Sequence, residues 1–415
     1  MNWQPCCMKT NSATDTVISG VGVITATGQG KTAVMNAWLE GRHAFDVMKR
    51  PGRQQGTSFL GAEIGDITYP EHFSKKMLRT ASFTGSVALV TLEEAWNEAR
   101  LSEVAPHRIG LVVGGSNTQQ RELMQTCDAY RGREAFLRPV YGFTFMDTDV
   151  CGLCTETFGI RGMSYTVGGA SASGQVAILQ AIQAVQSGQV DVCIAMGALM
   201  DLSYWELQGF RSLGAMGSTS YASDPGGACR PFDQQSDGFI FGECCGAVVI
   251  ERAETAAARN IKPYAVLSGW AIAMDGNRNP NASCEGECTV IRNALEKAGI
   301  TSEEIDYVNP HGSGSPTGDA TELKALQDCG LSHAYINATK SVTGHGLTAA
   351  GAVEVIATLL QMKSGILHPT RNLTDPVVPA MNWVKQTPVH HQIMHALNLS
   401  FGFGGINTAI CLRRY

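Results

Sequence analysis

The sequence predicts an α/β protein, and three observations carry the prediction. Strand-like apolar runs alternate with helical ones through the whole chain. The 415 residues exceed the roughly 250–300 at which single cores stop growing, which leaves two ordinary domains or one large core assembled from two similar halves. Forty-six glycines with only 16% charged residues fit a compact chain with many tight turns and exclude a fibrous or disordered one.

In chain order, TVISGVGVIT (16–25) reads as a strand, 84–99 as a helix, RIGLVVGG (108–115) as a strand and SYTV (164–167) as another. The helix predicted over 173–187, SGQVAILQAIQAVQS, spreads apolar residues around most of its circumference, so it should be largely buried. VDVCIAMG (190–197) is a strand, and GAVVIERAETAAARN (246–260) is a strand followed by a helix. PYAVLSGWAIAM, TVIRNALEKAG, IDYVNPHG, ATELKALQD and GAVEVIATLLQM then continue the alternation. The seam falls near 260, dividing 1–260 from 261–415. With no low-complexity linker and no short tandem repeat, the two parts should pack intimately.

Composition excludes several function classes. A net charge of −6 without a long basic tract argues against nucleic acid as a partner. The N-terminal stretch MNWQPCCMKTNSATDT lacks the apolar core of a signal peptide, and no apolar run reaches the roughly 18 residues of a membrane span; a cytoplasmic protein with no membrane association is expected. Thirteen scattered cysteines give no secreted disulfide framework and should stay reduced. Cys151-x-x-Cys154 and Cys284-x-x-x-Cys288 have metal-like spacing, but neither has a second Cys/His pair at zinc-site distance. Both are read as structural, with no metal expected.

Chemistry concentrates in three places. MSYTVGGASASGQV (163–176) runs from a strand through two glycines into a helix, which puts Ser171 at a helix N-terminus where free N–H groups favour negative charge. A hydrolase elbow, G-x-S-x-G, fails by one residue because Ser173 follows Ala172 and glycine comes only at 174. The plainer reading is that Ser171 or Ser173 caps the helix. His311 in VNPHGSGSPTGD and His345 in ATKSVTGHGLTAAGAVE both lie in glycine-rich loops after strand-like runs, where catalytic groups gather in α/β folds. NLSFGFGGIN (398–407) could supply backbone N–H groups to an oxyanion or form a tight hairpin. No loop has P-loop spacing or a GxGxxG in a strand-to-helix frame.

Taken in order, SGVGVITATG (19–28), the Ser171 turn, CRPFDQQSDGFIFGE (229–243), NPHGSGSPTGD (309–319), TKSVTGH (339–345) and SFGFGG (400–405) resemble the β-ketoacyl-acyl carrier protein synthases of the thiolase superfamily. The resemblance covers nearly the whole chain and implies a thiolase-like five-layer αβαβα fold of two similar halves. It makes His311 and His345 the active-site histidines, Lys340 and Glu354 the buried ion pair supporting them, and Phe403 the gate whose backbone N–H reaches the oxyanion hole. Ser313 and Ser315 stand where threonines usually hold the phosphopantetheine arm, with Phe401 and Gly404 also expected at the substrate. Lys75, Lys76 and Arg79 occupy a position comparable to the family's basic docking face for an acidic carrier protein, although an ordinary solvated helix face would look the same. No bound cofactor is expected, since phosphopantetheine arrives on the carrier protein. A homodimer is implied, and other enzymes of a polyketide β-branching cassette are further candidate partners.

The chain departs from this family where it matters most, because Ser171 stands where the acyl-accepting cysteine belongs. Smaller departures are Gly169, Pro310 and Thr348. A hydroxyl ionises far less readily than a thiol, so acyl loading should fail, whereas two histidine donors could still stabilise the enolate formed when malonyl-thioester loses carbon dioxide. The resemblance therefore implies a malonyl-acyl carrier protein decarboxylase that makes acetyl-thioester, with Ser171, His311 and His345 at its centre. Three rivals remain: a non-catalytic chain-length-factor-like partner, a serine hydrolase or acyltransferase with His345 as base, and a slow condensing enzyme using serine.

Overall fold

The computed structural model describes residues 11–217, 219–278 and 280–415, so the first ten residues of the stretch weighed against a signal peptide lie outside them. The first half supplies β1 (Thr16–Thr25), β2 (Ile109–Gly114), β3 (Ser164–Val167), β4 (Val192–Gly197) and β5 (Cys244–Arg252). The second supplies β6 (Ala265–Met274), β7 (Tyr307–Asn309), β8 (Tyr335–Ile336), β9 (His395–Gly402) and β10 (Ile406–Arg414). Along the sheet the order is β8-β7-β9-β10-β6-β1-β5-β4-β2-β3, with Gly28–Gln29 paired to β1 as an eleventh strand.

One pattern is used twice. From the centre outward, β1-β5-β4 are antiparallel neighbours and β4-β2-β3 parallel ones; β6-β10-β9 and β9-β7-β8 repeat this strand for strand. Within the sheet the halves join at β1 and β6, where Val17 pairs with Val266 and Ile18 with Ala265. The repeat extends to irregularities, since the register slips between Ile18 and Gly20 in one half and between Leu267 and Gly269 in the other.

Five helices complete the layers: α1 (Phe83–Glu98), α2 (Ser173–Gln186), α3 (Cys284–Ala298), α4 (Pro316–Asp328) and α5 (Ala350–Ser364). α1 packs on the outer face of the first half, and α3 with α4 on that of the second. α2 and α5 lie between the halves and touch strands of both, which makes the five-layer αβαβα sandwich. A helix covered on both sides must be apolar nearly all round, and α2 is buried from Ser173 through Leu179 and again at Ala181, Ile182, Ala184 and Val185. The two central helices meet end to end: a Cβ added to Gly174 would lie 2.6 Å from the backbone nitrogen of Ala352. Only glycine admits that approach.

Among the described residues no helix is long and apolar enough to cross a membrane. The described cysteines are free thiols, and Cys151 and Cys154 are buried in the core on the Asp149–Phe158 helix.

Candidate active site

β3 is followed by Gly168 and Gly169, and a single 3-10 turn, Ala170–Ala172, leads into α2. Ala170 is held at φ 46°, a left-handed conformation that costs a non-glycine residue about 1–3 kcal/mol. The same device recurs before α5, where Leu347 has φ 50° in the turn Leu347–Ala349. Neither serine caps the helix: Ala172 is the N-cap and no side chain accepts there. Instead Ser173 Oγ accepts from the Gly169 N–H at 2.9 Å and donates to the Ala170 carbonyl at 2.7 Å, closing the turn on itself. Ser171 is thereby left pointing at its one side-chain partner, His345, with Oγ 3.0 Å from Nε2.

The protonation of His345 follows from its other nitrogen. Nδ1 accepts the Leu347 N–H at 3.3 Å, so in the neutral ring the proton sits on Nε2, and Nε2–H donates to Ser171. Burial pushes this imidazole well below its ordinary pKa, with the Lys340 charge acting in the same direction. His311 is arranged alike. Its Nδ1 faces the Lys340 ammonium at 3.4 Å, which leaves Nε2 as the N–H; burial, then Lys340, then His345 hold it well below the usual histidine range. The two rings lie 5.4 Å apart at 81°. Two neutral N–H donors therefore converge on one cavity.

The supports are buried charges. Lys340, 1% exposed, pairs with Glu354 and also donates to the His311 carbonyl. Burial pushes the Glu354 carboxyl up and Lys340 pulls it down. α4 contributes two acids that the sequence reading did not single out. Glu322 accepts from the backbone N–H groups of His311 (2.6 Å) and Gly312 (2.8 Å), and Asp319 accepts from those of Gly314 (3.1 Å) and Phe232 (2.6 Å). The signal was present, because positions 319 and 322 lie on one face of a helix that starts immediately after the histidine loop. Desolvation raises Glu322 to about 8 and Asp319 to about 6.

The cavity, about 450 Å³, is lined by Ser171, His311, His345, Ser313, Ser315, Phe401 and Phe403, with Met200, Phe210 and Leu213 as an apolar wall. The Phe401 ring lies 5.6 Å from that of His311, and Phe403, 40% exposed, stands at the mouth 6.3 Å from Phe210. The glycine-rich segment is a hairpin, and Phe403 and Gly405 in it also line the cavity. Gly404, expected at the substrate, does not: it takes the left-handed turn position, φ 91°, between those two neighbours. Thr348 also lines the cavity, its hydroxyl bound to the Ala198 carbonyl at 2.7 Å. Gly169 fits its place closely, since a Cβ there would come within 2.9 Å of Val176. Lys75, Lys76 and Arg79 are exposed on and just after the Lys75–Leu78 turn of helix, outside the cavity lining.

A further buried acid was missed. Glu287 on α3 is 1% exposed, lines the same cavity and has one carboxylate oxygen without a hydrogen-bond partner. Burial, reinforced by Glu322, Asp275 and Asp319, raises it to about 9. Nothing in the sequence marks it, because a glutamate early in an amphipathic helix ordinarily faces water.

Fold and site define a class: thiolase-like ketosynthase homologues whose active-site turn presents a hydroxyl in place of a thiol. The N-terminal domain model of the β-ketoacyl synthases matches residues 13–256 and the C-terminal one residues 264–374, and the chain belongs to the β-ketoacyl synthase family. It is 60% identical over 399 residues to the polyketide biosynthesis malonyl-ACP decarboxylase PksF of Bacillus subtilis (strain 168), covering 96% of both chains. It is 32% identical to 3-oxoacyl-[acyl-carrier-protein] synthase 1 of Haemophilus influenzae, covering 96% of this chain and 99% of that one. A β-ketoacyl synthase structure from Burkholderia phymatum superposes with a TM-score of 0.89 at 27% identity, covering 97% of this chain and 100% of the other.

Proposed function

We propose that the protein is a malonyl-acyl carrier protein decarboxylase, releasing carbon dioxide from malonyl-thioester to leave acetyl-thioester without condensation. One observation carries the reading: both histidines present Nε2–H donors to a single cavity, while the residue at the nucleophile position is a serine that accepts from one of them. A malonyl-thioester with its carbonyl oxygen between the two N–H groups loses its carboxylate as carbon dioxide. The electron pair of the broken carbon–carbon bond moves onto the thioester as an enolate. Fixed donors aimed at that oxygen typically contribute about 3–4 kcal/mol each, and a proton from water then converts the enolate carbon into a methyl group. Lys340 acts as a positioning residue by fixing the His311 tautomer, and Glu322 fixes the loop that carries it. The 60% identity to a malonyl-ACP decarboxylase supports this reading.

The same geometry disfavours the serine hydrolase. A base for Ser171 would need a bare Nε2, and His345 has its bare nitrogen on the Leu347 N–H. Both donors are intact, which leaves the scaffold reading without support.

Within this proposal, Ser313 and Ser315 bind the phosphopantetheine arm, Phe403 gates it, and Lys75, Lys76 and Arg79 meet the acidic carrier protein. The chain pairs with a second copy through the edge of the sheet, works in the cytoplasm and supplies acetyl-carrier protein for polyketide β-branching. Incubation with malonyl- and acyl-carrier proteins, read by intact mass, tests the core claim. Acetyl-carrier protein without a β-ketoacyl product is expected; free malonate would establish the hydrolase, a β-ketoacyl product the condensing enzyme, and no turnover the scaffold.

A further inference from the structure

The pair Cys284 and Cys288 lacks a second ligand pair in sequence, but the fold brings a third donor, the Asp328 carboxylate, to it. α3 and α4 pack side by side on the outer face of the second half, bringing the last turn of α4 against the first turn of α3. The donor atoms of Cys284, Cys288 and Asp328 lie within 4.8 Å of one another. The Cys284 thiol points at Asp328 Oδ2 across 3.7 Å, and the Cys329 thiol lies against Cys288, its sulfur 4.0 Å from the Cys288 carbonyl. The start of α3 and the end of α4 thus present two thiols and a carboxylate to one point, with the Cys329 thiol, just past α4, against Cys288. This point lies at the opposite end of α4 from the Asp319 and Glu322 that hold the histidine loop.

We propose that Cys284, Cys288 and Asp328 form a binding site for a thiophilic divalent cation of the zinc type, with Cys329 or water as the fourth donor. Tetrahedral zinc, with bonds of about 2.3 Å to sulfur and about 2.0 Å to oxygen, sets its donors roughly 3.6–3.8 Å apart. Closing the cluster therefore needs movements of an ångström or less, within the reach of side-chain rotation. Cysteines spaced i,i+4 on a helix face the same way. Lys324 holds Asp328 Oδ2 at 2.7 Å, but on the solvent side, with 64% of its side chain exposed, so it is free to swing away when a cation arrives. The thiols bind as thiolates, so uptake releases protons and tightens as pH rises. A bound cation would tie the start of α3, beside Glu287, to the C-terminal end of α4, the helix whose opposite end carries Asp319 and Glu322. Its role is to brace the cavity wall, with no part in the bond-breaking step.

Cobalt(II) titration of the full-length protein under reducing, anaerobic conditions tests this. One cobalt per chain is expected, with thiolate-to-metal charge-transfer absorption and tetrahedral ligand-field bands that zinc abolishes, and zinc should raise the Tm. Cys284→Ser/Cys288→Ser should lose the charge-transfer band, and Asp328→Asn, on the surface, should weaken binding by at least about tenfold. Should the double variant fail to fold, Cys284→Ser alone gives the same readout at a half-buried position. Absence of the band in the unmodified protein overturns the proposal, as does a band that survives in the double variant. Formation of a Cys288–Cys329 disulfide in air without any metal uptake would make the trio a redox pair and overturn it too.

Discussion

Replacing Ser171 with alanine separates a missing thiol from a working hydroxyl. Ser171 Oγ has one side-chain partner, the His345 N–H at 3.0 Å, and a neutral hydrogen bond of this kind contributes a net of about 0.5–1.5 kcal/mol. Its removal leaves that N–H facing the cavity, where the thioester oxygen takes its place, so the barrier shifts by no more than this amount. At about 1.4 kcal/mol per factor of ten, decarboxylation by Ser171→Ala should stay within about tenfold of the parent. His345→Ala and His311→Ala each delete a donor aimed at the developing oxyanion and should lower kcat by about 10²–10³. The assay is the initial rate of acetyl-carrier protein formation from malonyl-carrier protein, followed by intact mass. A Ser171→Ala enzyme slowed more than about a hundredfold, beside histidine variants within tenfold of the parent, would refute the donor mechanism.

Other outcomes follow from the same geometry. Ser171→Cys places a thiol at the helix N-terminus, so iodoacetamide should label position 171 in peptide mass maps and an acyl-carrier protein should acylate it. Glu287→Gln should raise the Tm. The buried carboxyl has its pKa lifted to about 9, so the unfolded chain binds fewer protons above pH 4.5 and stability falls as pH rises towards 9; the advantage of the glutamine variant should therefore widen from pH 6 to 9 in a series of melts. His311 and His345 act in the opposite sense. Held low in the fold, they cost nothing above pH 6.5 and erode stability below it, and the rate of decarboxylation should not depend on their titration between pH 7 and 8. Gly174→Ala drives a methyl into the Ala352 backbone at 2.6 Å and should destabilise by about 1–3 kcal/mol through overpacking, measured by urea melts.

Much of this architecture could be read from local pattern. α2 was visible because a helix covered on two faces carries apolar residues nearly all round, and its limits differ from the expectation by one residue at the C-terminal end. The histidine loops were visible because glycine, histidine and small polar residues after a strand have few other uses. What escaped depends on packing between elements distant in sequence. Glu322 and Asp319 matter only because α4 folds back over the histidine loop, and Glu287 only because α3 turns that face to the cavity. Gly404 was misplaced by one position, since which residue of a three-residue turn faces inward depends on hairpin register. Spacing alone could not tell a helix-capping Ser171 from one aimed at a histidine distant in sequence; the packing of its turn against the His345 loop does.

The repeated turn has one more consequence. Ala170 and Leu347 take the same left-handed conformation ahead of equivalent helices, so Ser171 and Thr348 are counterparts, and both face the one cavity. The hydroxyl comes from the first half and both imidazoles from the second, and neither half encloses the space between them. Turnover by this protein is therefore a certificate of assembly: each molecule that releases carbon dioxide has folded both halves and brought them together.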